Sequence, residues 1–129
     1  MNENEILPKW EKKCWGWACH VEDGALLLSL LKVNAGWRCS IHKHAHRHNS
    51  FTVVSGKISI VEYKESESGP IGTGPHVLYP GDSFSVPPEI WHCFRVIEDG
   101  YVVETYHCDD GTVPDVNDII RYDEGGRIT

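Results

Sequence analysis

The stretch Cys39-Ser40-Ile41-His42-Lys43-His44-Ala45-His46-Arg47-His48-Asn49-Ser50-Phe51-Thr52-Val53-Val54 decides how the chain folds. At both ends polar and apolar residues alternate, the pattern of a half-buried β-strand. A dense run of histidines lies between those ends. The spacing predicts strands over Cys39–His44 and Ser50–Val54. In a strand, residues i and i+2 project from one face, so His42 and His44 would stand side by side, about 7 Å apart along the strand. Two neutral imidazoles so placed can converge on one metal ion.

The same texture continues in both directions. Short apolar or alternating runs predict further strands at Ala25–Val33, Lys57–Tyr63, His76–Leu78, Ser83–Val86, His92–Val96 and Tyr101–His107. Between them stand breakers: Asn34-Ala35-Gly36, Ser55-Gly56, Pro80-Gly81-Asp82, Pro87-Pro88-Glu89 and Glu98-Asp99-Gly100. No long helical periodicity and no internal repeat interrupts the series, so the fold class is all-β, a sandwich or barrel. Lys64–Gly74 is polar and reads as a hairpin loop within the domain. The N-terminal stretch through Val21 carries Trp10, Trp15 and Trp17 and is expected to lie against the sheet. Asp115–Arg127 reads as a short docked segment.

At 129 residues the chain has room for one ordinary domain, residues 1–129 with a core over about 25–107. Its net charge of −7 argues against a general nucleic-acid binder. The longest apolar run, Ala25 to Leu31, is too short to span a bilayer. Met1-Asn2-Glu3-Asn4-Glu5 lacks the basic start of a signal peptide, so a cytoplasmic location is expected. Cys14, Cys19, Cys39, Cys93 and Cys108 are odd in number and contain no C-x-x-C, the usage of reduced, mostly buried thiols.

A third metal ligand must come from elsewhere in the chain. His92 follows the Pro87-Pro88 break and shares the phase of Phe94 and Val96, which is the inward phase of its strand. His46 and His48 are either neighbours of this site or exposed, adventitious metal binders.

Two spacings together resemble the cupin superfamily. Gly36-x5-His42-x-His44-x4-Asn49-x6-Gly56 is similar to the first cupin motif, and Gly81-x5-Pro87-x4-His92-x3-Val96 to the second. The resemblance implies a single antiparallel β-barrel of jelly-roll type, with short N- and C-terminal extensions. It implies one divalent metal ion (Zn, Fe, Mn or Ni) held by His42, His44, Asn49 and His92, and a homodimer. Asn49 stands where the family has a glutamate, and its amide oxygen brings no charge to the metal. Glu89 and Val96 replace a glycine and an asparagine that lie outside the usual ligands.

Trp15-Gly16 and Asp118–Arg127 also resemble the ends of the cupin domain in type II mannose-6-phosphate isomerases. His44, His46 and Arg47 coincide with an H-x-H-R of that family. The expected substrate is then a small polar molecule, a sugar or sugar phosphate, isomerised with the metal as Lewis acid. Glu104 is the candidate catalytic base, the alternative being a solvated strand glutamate. Arg38 and Lys57 are candidates for substrate binding, the alternative being strand-end charges. Two other functions fit the same residues: a three-histidine non-haem iron dioxygenase, and a small-molecule-binding cupin without turnover. Trp37 and Trp91 could wall a ligand pocket, although core or interface packing explains them as well.

Overall fold

In a computed structural model that describes residues 9–128, the strands are β1 (Trp10–Lys13), β2 (Gly16–Asp23), β3 (Leu26–Val33), β4 (Trp37–Arg38), β5 (His42–Lys43), β6 (His48–Lys64), β7 (Ile71–Gly72), β8 (His76–Leu78), β9 (Ser83–Val86), β10 (Trp91–His107), β11 (Ile120–Arg121) and β12 (Gly126–Arg127). All pairings are antiparallel. The acidic segment 1–5 lies outside the described residues. No helix among the described residues is long and apolar enough to cross a membrane.

The architecture turns on β6 and β10, which pair along almost their whole lengths. Their register shifts between Val96 and Val102, opposite Ser55–Lys57. Bulges of this kind bend a ladder and sharpen its twist. Each long strand is thereby folded into two halves. One layer runs β1, β2, β3, the second half of β10, the first half of β6 and β9. The other contains the first half of β10, the second half of β6, and the short strands β4, β5, β7 and β8. The two layers close on a core that includes Leu31, Val33, Phe51, Val53, Ile58, Ile60, Phe94 and Val96, each at most 3% exposed. Burying each such side chain is worth about 1.5–3 kcal/mol. The all-β cupin expectation is therefore met in its layers and its antiparallel pairing.

Several sequence expectations are corrected. Ser55-Gly56 and Glu98-Asp99-Gly100 do not separate strands; they are the bends within β6 and β10. Gly56 shows why: its φ is +82°, and an added Cβ would stand 2.5 Å from the carbonyl oxygen of Asp99. A Gly56→Ala variant should lose about 2–3 kcal/mol from left-handed strain plus this clash, read from urea unfolding, without losing its histidine site. The N-terminal stretch does more than lie against the sheet. It supplies β1 and β2, and Trp15 packs edge-on against Phe94 with ring centroids 4.9 Å apart. The Lys64–Gly74 loop keeps its hairpin form, but Ile71 and Gly72 extend the ladder on β6. The expected strand Cys39–His44 is reduced to His42–Lys43. At Cys39–Ile41 the C-terminal segment intervenes, because Asp123 accepts hydrogen bonds from the Ile41 N–H and from Arg38.

Candidate metal centre

His42 lies on β5 directly opposite His92 at the start of β10. His44 follows β5, where the chain turns toward β6. The same-face argument for His42 and His44 thus loses its strand at Lys43, yet the rings still meet, with centroids 5.0 Å apart. His92 completes the group at 4.5 Å from His42 and 5.4 Å from His44. All three are buried, and one nitrogen from each falls within 4.8 Å of the others.

The backbone decides which nitrogens these are. Nδ1–H of His42 donates to the Ser40 carbonyl at 2.8 Å, Nδ1–H of His44 to Asp118 at 2.7 Å, and Nδ1–H of His92 to Ile90 at 2.9 Å. Each bond fixes one tautomer and leaves Nε2 as a bare lone pair, the arrangement that prepares histidine to ligate a metal. Nε2 of His44 is buried without any hydrogen-bond partner. Such an orphaned acceptor normally costs free energy, and a cation at the centre would relieve the cost.

Asn49 reaches this point from the opposite layer. It is fully buried, its Oδ1 lies 3.0 Å from Nε2 of His92, and its Nδ2–H donates to Glu104 Oε2 at 3.1 Å. With Nδ1 of His92 already the donor, an amide oxygen and a bare nitrogen face each other. Two acceptors at that distance repel unless they share a cation. Two ligands about 2.1 Å from one ion at right angles are themselves about 3 Å apart. These residues fit a divalent ion.

Burial drives all three imidazoles toward the neutral form. His44 and His92 are each lowered to about 4, and His42 is pushed further down by burial and by its two histidine neighbours. They are neutral at pH 7 and need shed no proton to ligate. Glu104, half-buried, is pushed up by burial in spite of hydrogen bonds from Asn49 and Tyr106.

Glu104 and His42 line one cavity of about 440 Å³, with Arg47 and Tyr106 between the layers. Arg38 and Lys57 do not line it. The guanidinium of Arg38 is held by Asp123 at 2.8 Å. Lys57 pairs with Glu98 at 3.2 Å in the bend of β6 and β10, about 20 Å along β10 from His92. His46 is exposed. His48 stacks on His107 at 4.6 Å and lies 2.8 Å from Asp109, outside the buried trio. Trp91 is occupied at the surface, donating to Glu65 and facing the Lys43 ammonium. The five cysteines are all free, and Cys19, Cys39 and Cys93 are buried.

Sequence reading places Arg47 and Asp118 in family-like stretches but does not reveal their contacts. Arg47 is 4% exposed and stacks on Tyr106, 3.9 Å from the ring centroid. Asp118 accepts the N–H groups of Ala45 and His46 as well as the His44 bond. No local pattern marks the role of Asp118, whose partners His44, Ala45 and His46 lie more than 70 residues away.

A family model of the cupin domain matches residues 29–107. A search of curated proteins returns no match. Among solved structures, oxalate decarboxylase from Bacillus subtilis superposes with a TM-score of 0.69 at 13% identity, over 89% of this chain and 30% of that one. KdgF from Halomonas sp. superposes with a TM-score of 0.64 at 19% identity, over 81% of this chain and 90% of the other. The chain spans about 30% of the oxalate decarboxylase chain, and at these identities the likeness is one of fold. With more than half of its length matched, the three motif histidines His42, His44 and His92 inside the match and two strand layers closed around them, this chain belongs to the cupin family.

Proposed function

We propose that the chain binds one divalent metal ion through Nε2 of His42, His44 and His92, with Oδ1 of Asn49 as fourth ligand, and acts through it on a small polar molecule. The observation that carries this reading is the set of three backbone-anchored tautomers aimed at one buried point. An oxalate decarboxylase of the same fold contains Mn(II) centres, which supports the metal reading without selecting the metal. Three imidazoles and an amide suit Zn, Fe, Mn or Ni to overlapping degrees. Elemental analysis of protein purified without a histidine-affinity step tests the reading; one equivalent of a transition metal is expected, and none would sink it.

Within that reading, isomerisation of a sugar-like substrate is favoured over oxygen chemistry by Glu104. A bound metal would supply Lewis acidity toward a carbonyl or hydroxyl oxygen. The chain itself supplies the proton carrier. Glu104, with its carboxyl pushed up by burial, is poised to take a proton from one carbon and return it to the next. Asn49 and Tyr106 hold it in place, and the two layers limit the water that reaches it. Glu104→Gln keeps the acceptor toward Asn49 but cannot carry a proton. This variant should retain its metal and lose at least about a hundredfold in exchange of substrate C–H with solvent deuterium. Undiminished exchange would remove Glu104 from the mechanism, and oxygen uptake by iron-loaded protein would favour the dioxygenase instead.

A further inference from the structure

Arg47 is a buried cation with most of its donors unspent. Among the described residues only its Nε has a hydrogen-bond partner, Nδ1 of His44 at 3.2 Å, which is itself committed to the Asp118 carbonyl. Among the described residues its Nη groups make no hydrogen bond, and no carboxylate oxygen lies within 4.0 Å of it. The guanidinium is clamped flat against Tyr106 and lines the cavity shared with His42 and Glu104. Its Nη groups open onto this cavity with donors to spare, so an anion that enters it finds a matching fork. Of the acidic groups that feel its charge, Asp118 spends both carboxylate oxygens on the N–H groups of Ala45 and His46, and Glu104 is engaged by Asn49 and Tyr106.

We infer that Arg47 is the anion-recognition end of the site and that the natural ligand carries a carboxylate. The planar, rigid fork presents paired N–H groups that a carboxylate accepts two at a time, whereas an ammonium would serve as a point charge only. The ligand's other end is a hydroxyl or carbonyl oxygen turned toward the histidines, which rests on the metal reading above. A hydroxy acid or sugar acid meets both requirements, and a cavity of about 440 Å³ holds a molecule of that size. A chain of net charge −7 attracts no anion at long range, so a local buried cation must select it.

The test uses zinc-loaded full-length protein titrated with glycolate, with its neutral counterpart glycolamide, and with inorganic phosphate. The Nε–H resonance of Arg47 is followed by NMR. Glycolate is expected to shift that resonance saturably and to bind about tenfold more tightly than glycolamide, with phosphate a poor competitor. Arg47→Gln should lose that preference while keeping one zinc per chain, and Arg47→Lys should fall between. Equal binding of glycolate and glycolamide, an unmoved Arg47 resonance, unchanged glycolate binding in Arg47→Gln, or tighter binding of phosphate would each overturn the inference. The comparison of ligands on the unaltered protein stands even if a variant fails to fold. A wild-type protein that takes up no zinc defeats the metal proposal separately, since glycolate binding at Arg47 is then read on the metal-free chain.

Discussion

Protein carrying His42→Ala and His44→Ala together should emerge from purification with background metal only, where the unaltered chain holds about one ion. The two substitutions remove two of the three Nε2 lone pairs and leave His92 with Asn49, a pair too weak to compete with solvent. Loss of a single supporting contact around a metal costs ten- to a hundredfold in affinity, so loss of two direct ligands should cost at least about a hundredfold. Stability gives a second readout. An ion present at about 100 times its Kd stabilises the folded state by about 2.7 kcal/mol. For a chain of this length that corresponds to a rise in Tm of roughly 10 °C. Excess zinc should produce this rise in the unaltered protein and none in the double variant. Metal retained by the double variant, at unchanged affinity, would move the site to other residues, with His48, His107 and Asp109 next in line.

Metal-free protein should become steeply less stable as pH falls from about 6.5 toward 4. In the unfolded chain a histidine takes up a proton near 6.5. In the fold, burial lowers His44 and His92 to about 4. Between those values the unfolded state binds more protons, so acid favours unfolding. Their neutral burial is fully tolerated above pH 6.5 and is progressively penalised below it. The penalty reaches at most about 3 kcal/mol for each histidine by pH 4, and less for the pair because each ring feels the other's charge. Glu104 works against this trend: its carboxyl is raised, so the fold holds its proton longer and that term favours the native state in acid. Asp118 and Asp123, held low by backbone N–H groups and by Arg38 against the burial that opposes them, add their losses only below about pH 4. The urea midpoint of metal-free protein should therefore fall by several tenths of its value between pH 7 and 5. A flat profile over that range would mean that the imidazoles are not desolvated.

The parts of this molecule that sequence reading found are those encoded in neighbouring residues. Alternation at Ser50–Val54 and Tyr101–His107 reports which side chains face inward, because the period of a strand is two residues. His42, His44 and His92 were found together because the motif spacings fall at strand ends that close on one another. What escaped was carried by distance or by continuity. Nothing near Gly56 or Gly100 tells that the strand bends and goes on; only the partner strand supplies that. The burial of Arg47 depends on Tyr106, and the tautomer of His44 depends on a carbonyl at Asp118, each far along the chain. Lys57 and Arg38 read as free to meet a ligand because their partners, Glu98 in the β-ladder and Asp123 in the C-terminal segment, become neighbours only in the fold.

The Asp118 carbonyl has a wider meaning. His42 and His92 take their orientation from Ser40 and Ile90, two residues upstream, but His44 takes its own from a segment beyond the matched family core. That segment is stitched down by Asp123 on Ile41 and Arg38, by β11 on β5 and by β12 on β4. The chain's last sixth is thus part of the candidate metal centre's scaffolding. A protease nick near Gly111 would leave the barrel's two layers intact and still free one imidazole to rotate, so metal retention would report on the tail's docking before any probe of the β-sheet did.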